Sequence, residues 1–221
     1  MNFARSLRVL LLAVLVLGGC DTSINSSIVV PDGESRSGSI TSVNGNVSIG
    51  KDCTIEGTSR SVNGSVKVGD RSKVEDLSTV NGSIRTGEVV SVDGNIESVN
   101  GTVELGAGSE VSGEVATVSG SIELDQTMVQ RDVRTVNGDI ELRDKSVVKG
   151  DIVIEDKMGV STRRRPIEIE VTGGSIIEGD IVVKREVDVR LILRDGGKVL
   201  GQVDGAEVID ENVAQPAVDD D

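Results

Sequence analysis

The stretch Ser42-Val43-Asn44-Gly45-Asn46-Val47 decides the fold of this chain, because it returns at a fixed spacing. Close copies begin at Ser61, Thr79, Ser98, Thr117 and Thr135. Their valines, here called the lead valines, lie at positions 43, 62, 80, 99, 118 and 136, so the successive steps are 19, 18, 19, 19 and 18. A nearly constant period of this length predicts a solenoid, in which each repeat buries its apolar residues against its neighbours.

Within each repeat, short alternating runs of β-branched residues are separated by glycine and polar residues. After the lead valine Val99, for example, apolar residues follow at Val103, Leu105, Val111 and Val115. This pattern predicts short strands joined by turns, since no helical spacing is long enough to connect parallel strands. We therefore predict an all-β fold, a single-stranded right-handed parallel β-helix of about nine turns with 18–19 residues per turn. The lead valines are expected in its filled interior columns.

The Asn-Gly pair of the repeat is explained by stacking. Corresponding residues of successive turns lie ~4.8 Å apart. The asparagines would therefore form a column whose amides bond along the stack, and Ser119 would interrupt it: Asn44, Asn63, Asn81, Asn100 and Asn137. Each following glycine is expected to take a backbone conformation that a Cβ disfavours. Turn chemistry accounts for this column, and a ligand or ion site along it is the alternative.

The period also sets the predicted domain boundaries. One repeat back from Val43 the chain reaches Ile24, which places the β-helix at 24–209. The phrases Val148-Lys149-Gly150-Asp151-Ile152 and Ile177-Glu178-Gly179-Asp180-Ile181 are related by a step of 29 instead of 19. This difference predicts an inserted loop over 157–166. The acidic end, 210–221, is typical of a disordered tail.

Residues 1–19 are predicted to be a secretory signal, since Arg5 and Arg8 precede the apolar run Val9–Leu17. The exit Leu17-Gly18-Gly19-Cys20 resembles the lipobox of bacterial lipoproteins. That resemblance implies cleavage before Cys20 and acylation of its thiol and new amine, with palmitate among the acyl chains. An ordinary signal peptide with a chance cysteine is the alternative.

The lipobox resemblance also implies a location. Residues 20–23 would be the acylated anchor and a short linker, and the protein would be lipid-anchored in the bacterial cell envelope, facing the periplasm. Asp21 resembles an inner-membrane retention signal of enteric bacteria, while the choice between inner and outer membrane stays open.

Composition excludes several classes of function. The formal net charge is −14, there is no histidine, and the only aromatic residue is Phe3, inside the signal. Acidity disfavours nucleic acid, and without imidazole or aromatic rings the usual triads, zinc sites and stacking surfaces are missing. We therefore predict a non-enzymatic protein with no catalytic, cofactor-binding or metal residues. Cys53, the one thiol left after acylation of Cys20, is predicted to be a small apolar filler near a turn, with a redox or intermolecular role as the alternative.

Two charged features remain as candidate contact surfaces. The residue five positions after each lead valine faces outward and changes from basic to acidic along the stack, which we call the outward ladder: Ser48, Lys67, Arg85, Glu104, Glu123 and Glu141. The inserted loop carries a basic cluster, the predicted partner contact: Lys157, Arg163, Arg164 and Arg165. It would meet phospholipid head groups, another envelope protein, an anionic envelope polymer or the acidic ladder of a second copy. The alternative for both features is an exposed, solvated surface.

The Val-Lys-Gly-Asp-Ile and Ile-Glu-Gly-Asp-Ile phrases, with the aromatic-poor stacked turns, resemble the bactofilin family of polymer-forming proteins. That resemblance implies a β-helix that joins end to end into filaments without nucleotide. Bactofilins are mostly cytoplasmic, so the export signal departs from their pattern. The Val-Asn-Gly-rich half, 42–144, is similar to proteobacterial envelope lipoproteins of unassigned role and to adhesin repeats.

These observations together predict a membrane-anchored structural or scaffold lipoprotein that forms a homo-oligomer or an end-to-end polymer. Two alternatives stay open. One is a surface adhesin, and the other is a glycan-binding or carbohydrate-active β-helix that uses paired carboxylates such as Asp139 and Glu141.

Overall fold

The computed structural model describes residues 21–156 and 165–212, and all of their regular structure is short strands. The first ten are β1 (Asp21–Ser23), β2 (Ile28–Val30), β3 (Ser35–Ser37), β4 (Ile40–Asn44), β5 (Val47–Ile49), β6 (Thr54–Glu56), β7 (Ser59–Asn63), β8 (Val66–Val68), β9 (Lys73–Val74) and β10 (Leu77–Asn81). The next ten are β11 (Ile84–Thr86), β12 (Ser91–Val92), β13 (Ile96–Asn100), β14 (Val103–Leu105), β15 (Glu110–Val111), β16 (Val115–Ser119), β17 (Ile122–Asp125), β18 (Met128–Val129), β19 (Val133–Thr135) and β20 (Ile140–Arg143). The last nine are β21 (Val147–Val148), β22 (Ile152–Ile154), β23 (Ile167–Val171), β24 (Ile176–Ile177), β25 (Ile181–Val183), β26 (Val189–Leu193), β27 (Lys198–Val199), β28 (Val203–Asp204) and β29 (Glu207–Asp210).

Every third strand belongs to the same parallel sheet, so the chain passes through three sheets in each turn. Sheet 1 holds ten strands from β1 to β28, sheet 2 holds ten from β2 to β29, and sheet 3 holds nine from β3 to β27. The predicted all-β parallel β-helix is confirmed, with about ten turns where about nine were expected.

The two ends of the stack differ from the predicted boundaries. Asp21 pairs with Ile40, so the strand Asp21–Ser23 lies where a short linker after Cys20 was predicted. At the other end, Asp210 belongs to β29 and the Glu211 N–H donates to the Leu193 carbonyl at 2.7 Å. The solenoid therefore includes 210–212 of the predicted tail, whose other residues, 213–221, lie outside the described part of the chain, as does the predicted signal.

Two long connections interrupt the period. Ile152 pairs with Ile181, and Ile140 with Ile169, so the step of 29 falls between β22 and β23, where the loop over 157–166 is predicted. Of that loop, 157–164 lie outside the described residues. A second long connection, 184–188, follows β25 and gives the 22-residue step between Ile167 and Val189. The sequence pattern did not predict it.

The core lies between the three sheets, and it includes a column of hydroxyl groups that the sequence pattern did not reveal. In β4, Ile40 and Ser42 are buried, whereas Val43 is half-buried on the outer face. The prediction that the lead valines fill the interior is therefore wrong for 43, 62, 80, 99 and 118. Several of these buried hydroxyls have acceptors in the preceding turn: Ser61 Oγ donates to the Gly45 carbonyl and Thr79 Oγ1 to the Gly64 carbonyl, both at 2.8 Å. Thr117 Oγ1, in the same column, has no hydrogen-bond partner among the described residues.

The Asn-Gly column is a stacking device. Asn amides bond from turn to turn at 2.9–3.0 Å, in a ladder that begins one turn earlier than expected: Asn25, Asn44, Asn63, Asn81 and Asn100. The glycines are required mainly by close approach, since a Cβ on Gly82 would lie 2.2 Å from the Gly64 carbonyl oxygen. The expected special backbone conformation is present at Gly120, with φ 144°, but it is not shared by the whole column.

Candidate functional site

Only one residue of the predicted basic contact lies in the described part of the chain. Arg165 Nη2 donates to Asp139 Oδ2 at 2.6 Å, and Asp139 Oδ1 accepts the Glu168 N–H at 3.0 Å. Glu141, the other carboxylate of the predicted pair, is bonded to Arg143. Asp139 and Glu141 are therefore engaged by their own chain. Lys157, Arg163, Arg164 and the predicted lipidation residue Cys20 lie outside the described residues.

Cys53 occupies a position that hydroxyl residues hold in other turns. It is 1% exposed, and its Sγ lies 3.1 Å from the Pro31 carbonyl oxygen and 3.4 Å from that of Lys51. One turn later Ser72 takes the same place, where its Oγ donates to the Gly50 carbonyl at 2.9 Å and accepts the Cys53 N–H at 3.0 Å. The thiol therefore acts as a buried hydrogen-bonding group as well as a filler.

Strand pairing stacks the outward ladder in consecutive rungs. Lys67 pairs with Arg85, Arg85 with Glu104 and Glu104 with Glu123. At the change of sign, Arg85 and Glu104 form an ion pair of 2.6 Å. The side chains of this pair are about half exposed, so it contributes roughly 0.2–1 kcal/mol.

The corner that leads into sheet 1 is built by one residue before each strand, and we call these residues the corner column: Thr58, Asp76, Asn95, Glu114, Asp132, Asp151, Asp180 and Gln202. In most turns the side-chain oxygen accepts the backbone N–H of the next column member. Asp76 Oδ1 accepts the Asn95 N–H at 2.8 Å, and Asp151 Oδ1 accepts the Asp180 N–H at 2.9 Å. Each such hook satisfies a backbone donor at the corner.

A glycine precedes the residue that each hook holds, because the hook oxygen lies where a Cβ would be. A Cβ on Gly94 would lie 2.2 Å from Asp76 Oδ1, and a Cβ on Gly150 would lie 2.4 Å from Asp132 Oδ1. The Gly-Asp-Ile phrase of the sequence is thus the signature of this corner.

Glu114 and Arg131 break the corner column together. The side chain of Glu114 is longer than that of an aspartate and places the carboxylate farther out, where Glu114 Oε2 lies 3.3 Å from Arg134 Nε. No side chain among the described residues accepts the Asp132 N–H, and the residue before Asp132 is Arg131 instead of glycine. At this break a cavity of about 470 Å³ opens on the outside of the corner. Its lining carries carboxylates and guanidiniums from adjacent turns: Glu97, Glu114, Asp132, Arg131 and Arg134.

Arg134 is the centre of a half-buried ion network at one wall of this cavity. Its guanidinium contacts Glu155 Oε1 at 2.7 Å and is also paired with Asp132 and Glu114. Burial alone would lower the pKa of Arg134, but the hydrogen bonds with Asp132 and Glu155 outweigh it and raise that pKa. Both Nη1 and Nη2 of Arg134 are thereby engaged by carboxylates of its own chain.

Glu97 forms the opposite wall and has no ion pair within 4.0 Å among the described residues. Burial raises the pKa of its carboxyl, and the charges of Glu114 and Asp76 raise it further, while Arg60 acts in the other direction. Ser78 precedes Glu97 by one turn in the same outward column of sheet 1. It is 5% exposed and its hydroxyl has no hydrogen-bond partner within the described ranges. Glu97 lines the cavity and Ser78 lies one turn before it, outside the lining, and the described part of the fold leaves both polar groups incompletely satisfied.

The second long connection makes a contact that sequence reasoning missed. Arg185 Nη2 donates to the Val136 carbonyl and, at 3.0 Å, to Asn137 Oδ1. Val136 is 5% exposed, unlike the half-buried lead valines of earlier turns. The 22-residue step would have been the only sequence signal for this contact.

No family model, curated protein or solved structure matches this chain. Over residues 21–156 and 165–212, no helix has the length and apolarity needed to cross a membrane. The same ranges contain no group of three or more His, Cys, Asp or Glu side chains placed to hold a metal ion.

Proposed function

We propose that this protein is a non-enzymatic structural lipoprotein of the bacterial cell envelope, anchored through Cys20 and assembling with further copies of itself. The observation that carries the proposal is that the stack begins at Asp21, the residue after the lipobox cysteine. An acylated Cys20 would therefore tie a rigid body to the membrane with no flexible tether.

Self-assembly is supported by the C-terminal end of the stack. The interior-facing columns end at Val199, Val203 and Val208, which pair with Ile177, Ile181 and Leu191 of the turn before. These three valines are not buried, and Val208 is 50% exposed. Within the described residues, no further strand pairs with the outer edges of β27, β28 and β29. Apolar columns and open strand edges at the end of a solenoid favour contact with a cap or another copy.

Anchoring is tested by producing the full chain in bacteria with labelled palmitate and measuring incorporation and partition into the detergent phase. Cys20→Ser should lose both. Cys53→Ser is the matched control, because Cys53 is the only other cysteine, and it should keep both. Label that persists in Cys20→Ser would overturn the anchor.

Assembly is tested separately, by sedimentation and electron microscopy of the Cys20→Ser protein over a wide concentration range. Val208→Glu places a charge on the open end and should abolish the assemblies. Val89→Glu is the control, since Val89 is 59% exposed at a corner between sheets 2 and 3, away from the ends. Monomers at every concentration would refute assembly and leave the anchor standing.

A further inference from the structure

The cavity beside Glu114 and Arg131 lies at the one place where the hook of the corner column is lost between two turns that keep it. Before it, Asn95 Oδ1 accepts the Glu114 N–H at 3.0 Å, and after it Asp132 Oδ1 accepts the Asp151 N–H at 2.9 Å. A solenoid stabilised by nearest-neighbour contacts gains nothing from omitting one such bond. The break therefore calls for a reason other than stability.

The size and lining of the cavity fit a small polar molecule. Its volume of about 470 Å³ falls in the range of roughly 300–1,000 Å³ found for small-molecule sites. Amide groups of Asn95 and Gln130 add neutral donors and acceptors to its charged lining. No aromatic ring lies in the cavity wall, so recognition would depend on charge and hydrogen bonding.

The charges left over after internal pairing define the ligand. Arg134 forms ion pairs with Asp132 and with Glu155, so the charges of Arg134 and Asp132 are already paired within the chain. Glu97 has no ion pair in the described part of the chain, and the same is true of Arg131, an exposed residue at the cavity rim. Among the described residues, the cavity wall thus presents a carboxylate with no cation within 4.0 Å, with Arg60 acting on it only at longer range, and the rim presents a guanidinium with no anion within that distance.

We propose that this cavity binds an amino acid as its zwitterion, with the ammonium group on Glu97 and the carboxylate on Arg131. An ammonium group offers three N–H donors. It would neutralise Glu97, and the partnerless Ser78 hydroxyl lies one turn away in the same column. A guanidinium holds a carboxylate with two parallel hydrogen bonds, which gives direction to the pair. The Glu97 carboxylate and the Arg131 guanidinium, which have no ion pair among the described residues, would each gain a partner from the ligand.

Isothermal titration of the full chain in detergent, at neutral pH and low salt, tests the site with lysine and with cadaverine, the same molecule without the carboxylate. Lysine should bind more tightly than cadaverine. Glu97→Gln should weaken lysine binding at least tenfold, whereas Arg131→Gln should bring lysine down to the affinity of cadaverine. Glu123→Gln, which removes a carboxylate of the outward ladder on sheet 2, is the control and should leave binding unchanged.

Three results would overturn the proposal: no heat with either probe, equal affinity for lysine and cadaverine, or equal weakening by Glu97→Gln and Glu123→Gln. The last result would mean that general acidity attracts the amine. Circular dichroism of each variant checks the fold. Loss of the lipid anchor or of self-assembly would leave these titrations unaffected, so this site and the proposed envelope role fail independently.

Discussion

The corner column permits a quantitative test of why Glu114 and Arg131 occur together. Shortening Glu114 to aspartate would bring its carboxylate to the hook position, where it would accept the Asp132 N–H as Asp151 does for Asp180. In the same place the Arg131 Cβ obstructs that oxygen, since a Cβ on Gly150 would lie 2.4 Å from Asp132 Oδ1. The hook should therefore form only in the double variant Glu114→Asp/Arg131→Gly.

The magnitude follows from the interactions that each variant removes or adds. Glu114→Asp alone removes the half-buried ion pair with Arg134, which costs about 0.2–1 kcal/mol. Arg131→Gly alone costs about 0.5–1 kcal/mol in backbone entropy. The double variant adds a hydrogen bond to a charged acceptor, which contributes about 1.5–3 kcal/mol. The coupling energy between the two sites should therefore be about 2 kcal/mol, inside the range seen for contacting residues.

Two measurements test this coupling, one local and one global. Exchange of the Asp132 amide hydrogen should slow about 30-fold through the coupling, at about 1.4 kcal/mol per factor of ten. The melting temperature of the double variant should lie about 4–8 °C above the value expected from adding the shifts of the two single variants. Gly150→Ala is the control in a turn with an intact hook, and it should be destabilising. The steric link between hook and glycine would be refuted by full protection in Glu114→Asp alone, or by a coupling energy below about 0.5 kcal/mol, the lower limit for residues in contact.

Three further outcomes are expected. Glu97→Gln should raise the melting temperature at neutral pH, because the raised pKa of Glu97 means that its ionisation destabilises the folded state. This gain in melting temperature should shrink as the pH falls through the raised pKa, and it should vanish below the ordinary glutamate pKa of 4.5. A gain that is the same at every pH would contradict this. Cys53→Ser should change the melting temperature little, whereas Cys53→Val, matched to Val90 in the same column, should cost about 1 kcal/mol because the Pro31 and Lys51 carbonyls lose their donor; equal effects would show that the thiol acts only as a filler. Leu124→Ala should cost about 2–5 kcal/mol, since Leu124 is 1% exposed in the closely packed interior, and thermal unfolding that is nearly unchanged would contradict that packing.

The fold followed from the sequence because stacking repeats one constraint at every turn. The spacing of the lead valines predicted the parallel β-helix, and the Asn ladder followed from it, since equivalent residues must lie above one another. The sequence did not predict which face of the strand carries the lead valine. The Asn-Gly turn separates two strands, and the inward–outward alternation of side chains in one strand does not determine that in the other. Ile40 and Ser42 share one face of β4, and their burial shows that this face is the interior.

The candidate site could not be predicted from the sequence, for a related reason. In the sequence, Glu114 resembles any outward-facing acidic residue and Arg131 any basic surface residue. Their special position becomes clear only from the hydrogen bonds of the corner column. Once the Gly-Asp-Ile corner has a mechanism, the sequence itself marks Arg131 as the place where glycine is missing above Glu114. The 22-residue step after β25 was likewise hidden, because the apolar run Val187–Leu193 can be assigned to the period with either offset.

If Cys20 carries the lipid anchor, the regular rise of the stack also fixes where the cavity can work. Asn95 precedes the fifth strand of sheet 1 and Asp132 the seventh, counted from the strand that begins at Asp21. At ~4.8 Å per turn, the cavity lies roughly 19–29 Å from that first strand along the stack. An upright solenoid would hold it clear of the lipid head groups, and a solenoid lying flat would hold it at the membrane surface. A single spin label near the cavity, read by collision with lipid-bound relaxers, separates the two. Strong relaxation there would require the flat arrangement and would exclude assembly along an axis normal to the membrane.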